Sequence, residues 1–174
     1  MAKPVLVVVD GEDTSLQALT RELESRYGVH YQVASCSSAE VALARLAELK
    51  AAGADVPLVL ADQQMPGMSG TQLLARVREI FPTARRALLI SWGDRTAQAH
   101  FLEAAALGWL ELYLPKPAWS PDEQFHRLVT GSLEEWWREQ GGRFDSPSFE
   151  PGQQRAQVIC CQARFGARGT ADLL

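Results

Sequence analysis

Six residues able to move a phosphoryl group or hold a cation stand just past apolar runs of this chain: Asp10 with Glu12 and Asp13, Asp62, Ser91 and Lys116. The clearest setting is Leu58 to Gly70, LVLADQQMPGMSG, where an apolar run delivers Asp62 to its end and Pro66, Gly67 and Gly70 stop it at once. A lone Asp there is most simply a turn starter. Acids, a hydroxyl and a lysine gathered at one place are another matter. Clustered carboxylates repel unless a cation or lysine neutralises them, which favours a hard ion such as Mg²⁺. A carboxylate beside such an ion, a hydroxyl and an ammonium can attack a phosphoryl group and hold the acyl phosphate that results.

Bringing these residues together is the task of the elements before them. Pro4 to Asp10, PVLVVVD, reads as a central strand, and Tyr31 to Ser35, the run to Asp62, Arg86 to Ser91 and Trp109 to Leu114 read as four more. Helical spacing follows each: about Ser15 to Tyr27, capped by Thr14 or Asp13 and stopped by Gly28; Val41 to Ala51 after Ser38, burying Val41, Leu43, Leu46 and Leu49 in part; Thr71 to Phe81; and about Thr96 to Ala106. A last helix is expected from Ser120 as cap, with Pro121 in its first turn, to about Gln140. Strands alternating with helices at this spacing imply right-handed βαβ units and a parallel sheet covered on both faces. The fold class is therefore α/β, a flavodoxin-like (βα)5 doubly wound sheet. In such a sheet the chemistry collects beyond the carboxyl ends of the strands, where all six residues fall.

The chain has 174 residues, 47% of them hydrophobic, enough for a core of one domain and an appendage. A net charge of −4 argues against a general nucleic-acid or anionic-membrane surface. No apolar run approaches a membrane span and the N-terminus lacks a secretory pattern, so the expectation is a cytoplasmic protein. Cys36, Cys160 and Cys161 give no disulfide framework, CxxC or metal spacing.

Residues 4 to 135 resemble the receiver domain of two-component response regulators. VLVVVDGED is similar to the acidic first turn of receivers, DQQMPGMSG to the phosphoacceptor strand and loop, LLIS to the fourth-strand hydroxyl, and YLPKP to the lysine and the proline after it. The resemblance implies a signalling domain that is not an enzyme beyond its own phosphorylation and dephosphorylation, served by a histidine kinase or phosphotransfer protein. It makes Asp62 the phosphoacceptor, Ser91 a contact of the phosphoryl group and part of the switch, and Lys116 the partner of its oxygens. It also makes Asp10, Asp62 and the Gln64 backbone carbonyl the ligands of Mg²⁺, and Tyr113 the aromatic switch residue.

The sequence departs from that pattern twice. Receivers carry two consecutive acids after the first strand, whereas here Gly11 follows Asp10, so the expected direct metal ligand is absent. Glu12 is the nearest substitute, although a charge at a helix N-terminus is an equal reading. Trp92 replaces the usual small residue after the fourth-strand hydroxyl, on the access path to Asp62. The alternative to a working receiver is a pseudo-receiver that docks or dimerises without phosphorylation. An Asp-nucleophile phosphotransferase of the haloacid-dehalogenase type expects a second Asp where Gln64 stands, and a flavodoxin proper expects a hydroxyl-rich loop where DGEDTS is acidic.

In the last helix Phe125, Leu128, Val129, Leu133, Trp136 and Trp137 recur at helical steps over a length greater than a sheet cover needs. Trp136 and Trp137 need a cover, either a second subunit, giving a homodimer interface, or their own. The organisation expected is a receiver over 1–140, a linker over 141–157 and, over 158–174, a short tail or the start of a following domain. The opening residues, ADQQMPGMSG, LEEWW and the tail VICCQARFGARGTADLL also resemble receivers fused to a thioredoxin-disulfide reductase. That resemblance implies a reductase-like output domain as partner. This chain itself holds no flavin fingerprint and no redox CxxC.

Overall fold

A computed structural model describes residues 2–91, 95–117 and 122–141. Trp92, Ser120, Pro121, Cys160, Cys161 and nearly all of the expected linker and tail lie outside the described residues. Strands β1 (Val5–Val9), β2 (Gln32–Cys36), β3 (Leu58–Asp62), β4 (Arg85–Ile90) and β5 (Leu112–Pro115) alternate with helices α1 (Asp13–Tyr27), α2 (Ala39–Ala51), α3 (Gly70–Ile80), α4 (Arg95–Ala106) and α5 (Glu123–Glu139). The sheet is parallel throughout in the order β2-β1-β3-β4-β5. This is the flavodoxin-like receiver topology expected from the sequence.

All residues of β1 and β3 are buried, as apolar runs covered on both faces require. Alternation divides them between two layers. Val5, Val7, Val9, Val59 and Ala61 pack with Leu46 of α2, Leu73, Leu74 and Val77 of α3, and Ala104 of α4. Leu6, Val8, Leu58 and Leu60 pack with Leu19 and Leu23 of α1 and with Phe125, Val129 and Leu133 of α5.

Several element ends differ from the sequence reading, each for a visible reason. Helix α1 starts at Asp13 with Glu12 as N-cap residue, and neither Thr14 nor Asp13 caps it, because a carboxylate outside the helix, Asp10, takes the Glu12 N–H at 2.9 Å. Ser38 does cap α2, accepting the Val41 N–H at 3.3 Å, but the buried stripe is Ala39, Ala42, Leu46 and Leu49, and Val41 is exposed. Strand β5 starts at Leu112 rather than Trp109. The Trp109 N–H closes α4 on the Ala104 carbonyl, Gly108 turns with φ +68°, and Glu111 is drawn into an ion pair with the buried Arg86 of β4. Asp122 caps α5, accepting the Gln124 and Phe125 N–H groups at 3.1 Å.

Trp136 and Trp137 are covered inside their own subunit, at 2% and 7% exposure. Trp137 Nε1 donates to the buried Tyr31 hydroxyl at 2.7 Å, and the two indoles meet edge to face. The expectation that they form an interface to a second subunit is therefore corrected: neither ring is available to a partner. Their stretch of α5 is further held by Arg85, which reaches Glu135 at 3.1 Å and Glu139 at 2.9 Å.

Candidate functional site

Strand register assembles the site. Val9 pairs with Ala61, so the next residues, Asp10 and Asp62, leave neighbouring strands side by side. Ile90 pairs with Pro115, and the Lys116 N–H donates to the Ile90 carbonyl at 2.9 Å, so Ser91 and Lys116 leave β4 and β5 at the same sheet edge. Lys116 Nζ lies 2.8 Å from Asp10 Oδ2 and 3.1 Å from Asp62 Oδ1. The ammonium thus bridges two buried carboxylates.

Asp10 is closed to solvent and has three donors: the Glu12 N–H on Oδ1, and on Oδ2 both Lys116 and the Ser15 hydroxyl, the latter at 2.6 Å. Asp62 meets Lys116 through Oδ1 and also accepts from the Gln63 backbone. Burial pushes the Asp62 carboxyl up from its ordinary value, an effect that Lys116 opposes and the neighbouring Asp10 reinforces. For Lys116 burial acts downward, yet the bonds and charges of Asp10 and Asp62 together outweigh it and its affinity for the proton rises.

The loop after Asp62 is shaped by close approach. The Gly70 N–H donates to the Gln63 carbonyl at 3.3 Å, and a Cβ on Gly70 would overlap the Asp62 carbonyl. Ser69 and Gln72 form a capping box at the start of α3, while Gln63 Oε1 accepts the Thr71 N–H at 3.2 Å. These bonds fix the strand-to-helix turn that carries Asp62.

Among the other residues named from sequence, Ser91 is exposed just past β4. Tyr113 is half exposed and meets Phe101 of α4 edge to face, with ring centroids 4.7 Å apart. Glu12 is exposed and contributes its N–H to Asp10. Sequence reasoning missed Ser15, whose only signal was its place in the first turn of a helix entered from Asp10.

Receiver domains typically bind Mg²⁺ beside the phosphoacceptor. The donor set described here does not fit that ion. An ammonium already occupies the space between Asp10 and Asp62. The loop passes close to the position of the absent acid: a Cβ on Gly11 would meet Pro66 Cδ tightly, at 3.3 Å, and the Gln64 carbonyl oxygen at an ordinary 3.8 Å.

A five-stranded parallel α/β domain with an acid at the end of β3, paired to a lysine after β5, is the arrangement of a receiver-type signalling domain. The chain matches the response regulator receiver domain over residues 6–126 and belongs to that family. It is 32% identical over 117 residues to the hydrogenase transcriptional regulatory protein HoxA of Cupriavidus necator, a match covering 67% of this chain and 22% of that protein. It therefore spans about a fifth of the length of the curated relatives it matches. The signal receiver domain of an HD domain-containing protein from Pseudomonas fluorescens Pf-5 superposes with a TM-score of 0.64 at 28% identity, covering 83% of this chain and 96% of that one. An uncharacterised protein from Neptuniibacter caesariensis gives a TM-score of 0.65 at 28% identity, covering 83% and 98% of the two chains. No helix among the described residues is long and apolar enough to cross a membrane.

Proposed function

We propose that the chain is a phosphorylatable receiver whose acceptor is Asp62. The observation that carries the reading is the setting of that carboxylate: it ends β3 with Oδ1 held 3.1 Å from the Lys116 ammonium. Oδ2 attacks the phosphorus of a phosphohistidine or small acyl-phosphate donor, the bond to the leaving group breaks with its electron pair, and an acyl phosphate forms on Asp62. Asp62 attacks as the anion, so no base is required. Lys116 stays against the growing negative charge and Ser91 contributes a hydroxyl beside it. Output goes through protein contact, with Ser91 and the half-exposed Tyr113 biasing the α4 surface between two arrangements. The donor is a histidine kinase or phosphotransfer protein. The resemblance at LEEWW and the tail supports a reductase-like domain as recipient, with the receiver ending near residue 140.

Gly11 favours a second reading, a docking module that keeps the fold without the switch. Intact mass after incubation with acetyl phosphate and Mg²⁺ separates the two. A gain of one phosphoryl group in the wild type and none in Asp62→Ala is the expected result. A folded wild type that gains nothing abandons the receiver switch for the docking module.

A further inference from the structure

The hydroxyl on Asp10 has no part in the chemistry just described, yet it makes the shortest hydrogen bond at the site. We propose that Ser15 is a positioning residue for the phosphoacceptor: it holds Asp10 on Lys116, and the ammonium so fixed, rather than a divalent cation, neutralises the charge at Asp62. The proposal rests on Asp62 as acceptor and adds how its charge is managed.

The argument is one of occupancy and charge. A carboxylate offers about four lone-pair sites, and three on Asp10 are taken, by the Glu12 N–H, the Ser15 hydroxyl and Lys116. The Ser15 bond, at 2.6 Å, is of the short charge-assisted kind. It comes from the first turn of α1, so its direction is set by a packed helix and not by a loose side chain. The one site left, on Oδ1 beside the Glu12 N–H, belongs to a carboxylate closed to solvent. Mg²⁺ in turn requires a near-ideal octahedron and dehydrates reluctantly. The second acid that would attract it is absent, Gly11 standing in its place.

When the acyl phosphate forms, the Asp62 Oδ2–P bond is made and the donor's bond to phosphorus breaks with its electron pair. The ammonium needs only to remain where Ser15 and Asp10 hold it. Lys116 is the cation already within 3.1 Å of the attacked carboxylate.

The test uses the full chain with three substitutions. Calorimetric titration with MgCl₂ is expected to show no saturable binding to the wild type and saturable binding to Gly11→Asp, which adds the absent carboxylate beside the exposed Pro66. Labelling by acetyl phosphate, followed by intact mass, is expected to proceed in the wild type with a chelator present. It should slow by about ten-fold in Ser15→Ala and recover in Ser15→Thr, which keeps the hydroxyl. The Lys116 ammonium resonance, protected in the wild type and in Ser15→Thr, is expected to broaden in Ser15→Ala whether or not any labelling occurs. Saturable millimolar Mg²⁺ binding by the wild type, labelling abolished by the chelator alone, or an unchanged Lys116 resonance in Ser15→Ala each overturns the proposal. Failure of every variant to label removes the acceptor reading instead, and the titration and the resonance still decide the role of Ser15.

Discussion

Lys116 Nζ stands 3.1 Å from Asp62 Oδ1 and within reach of a second carboxylate on the neighbouring strand. The pair is therefore a triad of charges summing to −1, buried at the sheet edge. Removing the cation, as in Lys116→Met, leaves two carboxylates facing each other and is expected to cost about 3 kcal/mol of stability at about pH 7. A carboxylate whose folded value lies above its unfolded one takes up its proton more readily in the fold. The loss should therefore shrink as pH falls through that raised value, and denaturant unfolding at about pH 7 and about pH 5 reads the difference. Acyl phosphate formation should fall by roughly a hundred-fold in the same variant.

Gly70→Ala tests how tightly the acceptor turn is built. The added methyl overlaps the Asp62 carbonyl and approaches Leu88 Cδ1 to 2.9 Å, so the start of α3 must move. Destabilisation by about 2–3 kcal/mol is expected, together with slower labelling of Asp62. Gly131→Ala, in open space on α5, is the matched control and should gain slightly.

Trp136 and Trp137 should behave differently on replacement by Phe. The Trp137 N–H is bonded to Tyr31, whereas the buried Trp136 N–H finds no partner among the described residues. Trp137→Phe is expected to lose about 1–2 kcal/mol and Trp136→Phe less, because an unsatisfied donor is removed with the ring. Neither change should alter the elution volume in size-exclusion chromatography. A shift there would return the two rings to an interface.

The alkaline limb of stability should be steep. Burial, the leading cause, pushes both Tyr27 and Tyr31 upward, and the Lys116 value is raised as well. Each group holds its proton in the fold after the unfolded chain has released it. Stability is therefore complete below about pH 10 and falls as pH rises toward the raised folded values. Tyr27→Phe should cost about 1 kcal/mol at neutral pH through the lost bonds to Thr130 and the His126 carbonyl, and should flatten that fall. Thermal unfolding between about pH 7 and about pH 11 checks both statements.

The topology and the placement of Asp10, Asp62, Ser91 and Lys116 were legible because apolar runs mark strands and parallel strands end on one edge. What was hidden depends on partners distant in the chain. Ser15 gains its role because α1 begins two residues before its sequence suggests, under the control of Asp10. The period of α5 showed that Trp136 and Trp137 needed cover without showing that Tyr31 supplied it for one of them. Nor does anything local announce that the buried Arg86 pairs with Glu111, just before the start of β5.

Arg85 opens β4 at the sheet edge opposite the acceptor and grips two acids one turn apart near the end of α5. The helix is moored there as well as along its length, like a spar lashed at the heel. The far end of α5 therefore takes its bearing from the sheet itself, and cutting the mooring with Arg85→Ala would let that end of the helix drift while leaving Asp62 untouched.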